Sequence, residues 1–502
     1  MSLPLENRQS APSHSLEVDA KRRRIGTATD RKKKSSLGQF MTPESIARFM
    51  ASLLPPAGGA AVRLLDAGAG IGSLTSAVLD RQIEGTFGAS TINVTAFELD
   101  AALIPHLRET LQHYANASDE VSFEIVPDDF LQAGVFGLKL GSLAPFTRAI
   151  LNPPYKKISS SSIHRQLLKK IGLETVNLYS GFVGLALLLM EPGGSLCAII
   201  PRSFCNGPYY KPFRELIMSR GAIRRVHLFA SRTNAFADDD VLQENVIILI
   251  ERGGVPGDVI LSSSSDASFS DLETWALPPE AVVRSDDADL IIHLPTPGEA
   301  EGIIPRNFCS TLVQLGVKVS TGPVVDFRLK DHLRAQPEDG TVPLLYPAHF
   351  VGGDLQWPKA GIKKPNAIAL NAETQRWLYP AGNYAVVRRF SSKEERRRVV
   401  ASFIPDDAFD TGYIGLENHV NVFHAGRRGL PRLLALGLGV YLNSTMVDAH
   451  FRTFNGHTQV NATDLRMLPY PDGETLTAMG RWAEQQNQMS QEAIDRYVEQ
   501  LS

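Results

Sequence analysis

A proline-rich loop is the part of the sequence whose residue types point most directly to chemistry. Asn152-Pro153-Pro154-Tyr155 follows the apolar residues 149–151, which predict a buried strand, and the two prolines prevent a strand or helix from continuing. We therefore expect a rigid loop at the carboxyl end of a strand, where open α/β sheets bind ligands. The Asn152 amide oxygen and the Pro153 carbonyl would accept both N–H bonds of an amino group on a planar ring, and Tyr155 would stack on that ring. A Pro-Pro turn capped by its asparagine is the structural alternative.

A glycine-rich turn lies upstream of this loop. A predicted strand ending near Asp66 leads into a G-x-G-x-G turn with Gly68 and Gly70, and a helix is predicted over residues 73–79. Glycines at such a turn allow backbone to approach a ligand closely at a helix N-terminus. The spacing differs from the dinucleotide form G-x-G-x-x-G, which argues against a nicotinamide cofactor.

Two more predicted strands end in residues suited to a nucleoside. The first, over 92–97, is followed by Glu98, and the second, over 121–126, precedes Asp129 and Phe130. A carboxylate after the second strand suits two hydrogen bonds to a ribose diol. Asp129 could accept from an adenine amino group while Phe130 packs on the ring. Each acid alone is more often a solvated loop charge, but together with the glycine-rich turn and the proline-rich loop they mark four consecutive strand ends.

Thr42 and Pro43 begin a further candidate segment. They precede a helical apolar pattern over residues 45–54, with Thr42 suited to cap the helix and Pro43 to its first position. The segment is either a capped surface helix or, given its place just before the glycine-rich turn, a loop facing the cofactor.

Taken in order, these motifs resemble the gamma class of adenine-N(6) DNA methyltransferases, the TaqI-like enzymes of the class I S-adenosylmethionine-dependent methyltransferase family. The resemblance covers roughly residues 37–252. It implies S-adenosylmethionine as cofactor and a flipped adenine in double-stranded DNA as substrate. It also implies an aromatic residue facing the base just before the last strand, for which Phe236 is the candidate.

The site residues that the resemblance implies fall into two groups. The cofactor-binding group is Thr42, Pro43, Asp66, Gly68, Gly70, Glu98, Asp129 and Phe130. The catalytic group that holds the target adenine is Asn152, Pro153, Pro154 and Tyr155. No metal ligand is expected, because a sulfonium leaving group already makes the methyl electrophilic.

The expected architecture is α/β, a Rossmann-like seven-stranded methyltransferase sheet followed by a C-terminal α+β target-recognition domain. A long apolar helix is predicted after the proline-rich loop, over residues 174–190. The expected domains are a disordered basic arm over 1–36, a catalytic domain over 37–255, an irregular linker over 256–300, a recognition domain over 301–472 and a C-terminal helix over 473–502.

The arm carries the basic runs 21–24 and 31–34, which suit a phosphate-contacting segment, a nuclear-import signal or a solvated tail. In the recognition region, basic residues alternate with aromatic ones, as expected of a surface that grips a duplex. The net charge of −3 over 502 residues neither advertises nor excludes nucleic-acid binding.

Composition favours a cytoplasmic protein. The three cysteines are widely spaced, and neither a secretory apolar leader nor an apolar run of membrane-spanning length is present. We find no nuclease motif of the form Pro-Asp…Asp/Glu-x-Lys outside the methyltransferase motifs. In a restriction-modification system, cleavage would then belong to a separate cognate endonuclease.

Three other functions stay open from the sequence. A protein-glutamine methyltransferase shares the Asn-Pro-Pro-Tyr motif, although such enzymes are usually smaller and carry their extra domain in front. An RNA methyltransferase would use the same fold. A catalytically silent DNA-binding module would keep the fold without the chemistry.

Overall fold

The computed structural model describes residues 13–28, 41–229, 244–284, 287–296, 304–305, 307–391, 395–456, 458–486 and 488–502. The chain divides into two compact units, Met1–His293 and Leu294–Ser502. Phe236 and the basic run 31–34 lie outside the described residues. No described helix combines the length and the apolar character that a membrane crossing requires.

A mixed sheet forms the centre of the N-terminal unit, and nine of its strands lie within the described residues. They are β1 Ala61–Ala67, β2 Thr91–Phe97, β3 Val121–Val126, β4 Phe146–Leu151, β5 Met190–Pro201, β6 Gly221–Phe229, β7 Asn245–Arg252, β8 Val259–Ser264 and β9 Glu273–Leu277. Their order is β3-β2-β1-β4-β5-β7-β6-β8-β9. Strands β1 to β5 pair in parallel, and β7 lies antiparallel between β5 and β6. The carboxyl ends of β1 to β4 therefore meet along one edge.

Helices accompany this sheet in alternation with its strands. They are α1 His14–Ala28, α2 Glu44–Leu53, α3 Ser73–Ile83, α4 Ile104–Ala117, α5 Phe130–Leu140, α6 Ile163–Lys169, α7 Leu178–Leu188, α8 Lys211–Arg220 and α9 Pro279–Val282. The central strands are continuous apolar runs, and residues 196–200 of β5 and 246–248 of β7 are fully buried. Such runs are typical of strands covered on both faces. Burying apolar surface in this way stabilises the fold by about 25 cal/mol per Å². The buried sheet in turn holds in place the edge that carries the loops.

The C-terminal unit has its own strands and helices. Its strands are β10 Lys318–Thr321, β11 Leu333–Arg334, β12 Thr341–Leu345, β13 Phe350–Val351, β14 Asp354–Leu355, β15 Ala367–Ala369, β16 Tyr379–Pro380, β17 Tyr384–Arg388, β18 Ala401–Ile404, β19 Tyr413–Leu416 and β20 Val420–His424. They form the sheets β10-β20-β17-β18, β11-β15-β12-β19-β16 and β13-β14. Its helices are α10 Arg432–Leu442, α11 Thr445–Phe454, α12 Ala462–Met467, α13 Gly473–Glu484 and α14 Gln491–Gln500. The predicted α/β class with a C-terminal α+β region is confirmed.

Helices α10 and α13 pack so closely that the backbone of one contacts the backbone of the other. A Cβ built at Gly437 would stand 1.8 Å from the carbonyl oxygen of Leu476, and one at Gly480 would stand 2.0 Å from that of Leu433. Real Cβ atoms do not come this close to backbone, so glycine is required at both positions.

The prediction of an irregular linker over 256–300 is wrong for residues 259–264 and 273–277, which form β8 and β9 and extend the predicted seven strands to nine. The serines of β8 gave the segment the composition of a loop. Two of them instead bond a buried histidine on the neighbouring strand: the Ser262 and Ser264 hydroxyls lie 2.9 and 3.2 Å from the two ring nitrogens of His227. Burial lowers the pKa of His227 to about 4, so the ring is neutral at pH 7 and needs such partners.

The prediction of disorder is also wrong for the described part of the N-terminal arm, where α1 contains the first basic run. Asp19 accepts hydrogen bonds from Arg22 at 2.7 Å and Arg23 at 2.9 Å, and also from the backbone N–H of Glu44 at 3.2 Å. Arg22 itself is buried. Asp19 and Arg22, whose side chains are both buried, are therefore satisfied by the protein rather than by solvent.

Two helix predictions need new boundaries. The apolar helix expected over 174–190 spans only Leu178–Leu188, because Asn177 is extended and Met190 already begins β5. The single C-terminal helix is two helices, α13 and α14, each begun by a residue whose side chain accepts a backbone N–H, Asp472 and Ser490. The second cap starts a new helix within the amphipathic pattern.

Candidate active site

A cleft of about 260 Å³ opens at the carboxyl edge of β1 to β4 in the N-terminal unit. Eight of the predicted site residues line it: Thr42, Gly68, Gly70, Glu98, Asp129, Phe130, Asn152 and Pro154. Asp66, Pro43, Pro153 and Tyr155 are not among the lining residues. These eight residues come from the carboxyl ends of four strands, β1 to β4, and from the segment before α2. The sheet order therefore brings together residues that are far apart in the sequence.

The glycine-rich turn presents its backbone to this cleft. Gly68 and Gly70 have φ angles of 82° and 59°, in the left-handed region that favours glycine. The Gly70 N–H donates to the Glu98 carboxylate at 2.7 Å, which ties the turn after β1 to the end of β2. A second N–H, from Asp100, reaches the other carboxylate oxygen of Glu98 at 2.7 Å. Glu98 is thus held in place at both oxygens.

Burial dominates the electrostatics of the two acids near the turn. It raises the pKa of Glu98 above the usual range, although the N–H donors of Asp100 and Gly70 oppose the shift. Burial raises the pKa of Asp66 to about 7. One Asp66 oxygen accepts from the Thr75 hydroxyl at 2.6 Å, while the other is buried without a partner among the described residues. Asp66 is therefore a buried acceptor that still lacks a donor.

Asp129 and Phe130 stand at the end of β3. One Asp129 oxygen caps α5 by accepting the Gln132 N–H at 3.0 Å, and the other lies 2.8 Å from Nε2 of His164. The ring of Phe130 lies 5.2 Å from the rings of both Phe97 and Phe182. An acceptor and an aromatic wall therefore meet at this end of the cleft.

The sequence did not single out His164 or Phe182, which both line the cleft. His164 occupies the first turn of a seven-residue helix that carries no motif. Phe182 belongs to α7, an apolar helix whose pattern gives no reason to distinguish one large side chain from another. The structure identifies both residues by their contacts: His164 contacts the Asp129 carboxylate, and Phe182 contacts the Phe130 ring.

The Asn-Pro-Pro-Tyr loop stands at the end of β4, as predicted. The Asn152 amide donates to the Thr42 hydroxyl at 3.0 Å. The Tyr155 hydroxyl lies 3.2 Å from the Asn152 amide oxygen and 3.1 Å from the Ile199 carbonyl. Burial raises the pKa of the Tyr155 phenol well above its usual range, so the hydroxyl stays protonated and donates. The asparagine is fixed from both sides by neutral hydrogen bonds.

Comparison with known proteins matches this chain to restriction-modification enzymes. Residues 102–236 match the family model described as Eco57I restriction-modification methylase. The chain is 49% identical over 479 residues to the type II methyltransferase M.BsuBI of Bacillus subtilis, covering 94% of this chain and 95% of that protein. It is 39% identical over 472 residues to the type II methyltransferase M.PstI of Providencia stuartii, covering 92% of each.

Two solved structures share the fold over nearly the whole chain. One is the type IIL restriction-modification enzyme MmeI in complex with DNA, with a TM-score of 0.54 and 11% identity, covering 97% of this chain and 74% of that one. The other is the DrdV–DNA complex, with a TM-score of 0.52 and 13% identity, covering 94% of this chain and 60% of that one. At such identities the likeness establishes the fold alone.

The cleft fits S-adenosylmethionine. Phe130 and Phe182 offer apolar contact for a purine, and Glu98, fixed by two N–H donors, offers oxygens for a diol. Asp66 is fully buried and does not line the cleft, so its contact with the cofactor stays a prediction. With this site, this strand order and these relatives, the chain belongs to the S-adenosylmethionine-dependent type II DNA methyltransferases of restriction-modification systems.

Proposed function

We propose that the protein transfers a methyl group to the exocyclic N(6) amino group of an adenine flipped out of duplex DNA. The observation that carries the proposal is the position of Asn152, which lines the cofactor cleft while the Thr42 hydroxyl holds its amide nitrogen. The amide oxygen accepts from the Tyr155 hydroxyl at 3.2 Å, and an amide oxygen has a second lone pair, which we propose serves the amino group.

The loop would act by positioning rather than by covalent chemistry. An adenine amino group has its lone pair delocalised into the ring, so it is a poor nucleophile. Accepting both of its N–H bonds, at the Asn152 amide oxygen and the Pro153 carbonyl, favours a pyramidal nitrogen with an available lone pair. The bound cofactor supplies a methyl group on a positively charged sulfur. The residues then contribute alignment and a preorganised electrostatic environment, and the proposed reaction requires no metal.

Tyr155 is proposed to form part of the base-binding surface. Its ring makes an edge contact with Tyr179 at 6.3 Å, and Tyr179 stacks on Tyr210 at 5.9 Å. Such a set of packed rings would hold the Tyr155 ring in place. A base stacked on it would recover about 1–3 kcal/mol of the cost of leaving the duplex. Phe236, proposed for the opposite face of the base, lies outside the described residues.

The C-terminal unit is the proposed target-recognition domain. On it, Arg389 donates to the Asn418 carbonyl at 3.1 Å and to the Gln459 amide oxygen at 3.2 Å, and its guanidinium lies 5.7 Å from the Phe390 ring. Arginine and glutamine are side chains that read base edges in the major groove. Double-stranded DNA is the proposed partner, and a separate cognate endonuclease is proposed for the same restriction-modification system. A cytoplasmic location stays a prediction.

The proposal is tested by transferring labelled methyl groups to unmethylated genomic DNA and analysing the nucleosides. We expect label in N(6)-methyladenine. Label in a methylated cytosine would overturn the choice of base, and label in RNA or in protein glutamine would overturn the choice of substrate. If no label enters DNA, RNA or protein although the cofactor binds, the result would support a silent DNA-binding module instead.

A further inference from the structure

His164 lies in the cofactor cleft although no motif contains it. Its Nε2 atom is 2.8 Å from one oxygen of Asp129, and both side chains are largely covered, with 26% and 15% of their surface exposed. Ser162 begins the helix that carries His164, since its hydroxyl accepts the Arg165 N–H at 3.3 Å. The imidazole is therefore placed by a capped helix and is directed at a carboxylate.

Asp129 makes two separate contacts with the protein. One oxygen accepts the Gln132 N–H and so caps α5, and the other faces the His164 ring. A carboxylate offers about four lone-pair directions, so two such contacts fix its plane and leave further directions for a ligand. Without the imidazole, the second Asp129 oxygen would lose its hydrogen bond. The carboxylate could then rotate about the oxygen that caps α5.

We propose that His164 is a positioning residue that makes the cofactor site selective for a 6-amino purine by locking the orientation of the Asp129 carboxylate. This inference rests on the proposed contact between Asp129 and the cofactor adenine, and it does not depend on the DNA substrate. A carboxylate accepts and does not donate, so Nε2 of His164 is the donor in this proposed contact. The carboxylate then presents only acceptors, which match a purine amino group and repel a purine 6-oxo oxygen.

Selectivity separates this role from a purely structural one. If His164 only held α6 in place, its loss would weaken every cofactor analogue by the same factor. If it orients Asp129, its loss would weaken the amino-purine ligand more than the oxo-purine ligand. A site built to hydrogen-bond an N–H group discriminates strongly against an analogue that lacks it, because a buried partner is left unpaired.

The experiment measures the dissociation constants of S-adenosylhomocysteine and its deaminated analogue S-inosylhomocysteine by calorimetry, on the full chain without DNA. We expect the wild type to prefer the amino ligand and His164→Ala to lose about 10- to 150-fold of that preference, the size of one hydrogen bond to a charged group. His164→Gln should restore the preference, because its amide nitrogen can donate where Nε2 does. If a variant is only partly folded, the ratio of its two dissociation constants is still unchanged.

Asp129→Asn is the matched control. Asparagine caps helices as well as aspartate does, so α5 keeps its cap while the side chain gains a donor that the oxo purine can use. We expect the preference to disappear or reverse. An unchanged preference in Asp129→Asn, or equal losses for both ligands in His164→Ala and His164→Gln, would overturn the proposal. Neither result would bear on methyl transfer to adenine in DNA, which the labelling experiment tests separately.

Discussion

The Asn152 amide donates a hydrogen bond to the Thr42 hydroxyl across 3.0 Å, although 110 residues separate them in the chain. The contact joins the loop after β4 to the segment that begins α2. Both residues also line the cofactor cleft. The sequence predicted Thr42 as the cap of α2 and as a cofactor residue. The cap prediction is wrong, because Pro43 occupies the cap position and no side chain caps the helix, whereas the Thr42 hydroxyl accepts from the amide that we propose for catalysis.

Replacing Asn152 by alanine should abolish methyl transfer while leaving cofactor binding nearly intact. In the proposed mechanism the change removes the acceptor that aligns the reacting nitrogen, and losses of such preorganised groups typically cost about 100- to 1,000-fold in turnover. Methyl transfer to DNA and calorimetric binding of S-adenosylmethionine would be measured on the same preparation. Asn116→Ala, an exposed asparagine on α4, is the control. Equal losses of cofactor affinity and turnover would contradict the role of Asn152 in methyl transfer.

Replacing Thr42 by valine should lower kcat by about 5- to 10-fold, corresponding to about 1 kcal/mol for one hydrogen bond. The cofactor dissociation constant should change less than kcat does, because the removed hydroxyl anchors Asn152. Thr42→Ser, which keeps the hydroxyl, should restore most of the rate. A valine variant with wild-type kcat, or a serine variant as slow as valine, would show that the contact does not matter for turnover.

Gly437→Ala and Gly480→Ala should each destabilise the C-terminal unit by about 3 kcal/mol or more, because the added methyl group would overlap a backbone carbonyl that cannot turn aside. Gly439→Ala is the matched control on the same helix, α10, since a Cβ there meets nothing within 4 Å. Alanine at that position should be neutral or stabilise by up to about 1 kcal/mol. Urea unfolding of the three variants checks this, and similar midpoints would contradict the close packing of α10 and α13.

Asp66 should make the cofactor-free protein less stable as pH rises from about 4 to about 7. Its pKa is raised to about 7 in the folded protein, so the folded state binds a proton that the unfolded state has already released over this range. The contribution present below this window is on the order of 4 kcal/mol and is lost as pH rises through the folded pKa. Asp66→Asn should remove this slope. Parallel stability–pH curves for wild type and variant, measured by urea unfolding, would refute the assignment.

The motif-bearing half of the fold was predictable because each strand end carries a distinctive residue. Glu98, Asp129 and Asn152 follow apolar runs, and the parallel order of the sheet brings those run ends to one edge. The pairing of β8 with the sheet was hidden because its serines serve His227, a long-range relationship that composition does not record. His164 was hidden for the same reason, since its importance comes from a contact with a residue 35 positions away.

Helix α1 matters for choosing a start codon that yields a stably packed enzyme. Val18 is buried against Ile71 and Leu103, two residues of the cleft wall, with Met41 packed on the same cluster. A polypeptide initiated at Met41 would retain every motif residue from Thr42 onward and would still match the family by sequence. It would nevertheless expose that apolar cluster to water and leave the Glu44 N–H without the Asp19 carboxylate. Choosing the start codon by motif content alone would therefore discard the helix that packs behind the cleft wall at Ile71 and Leu103.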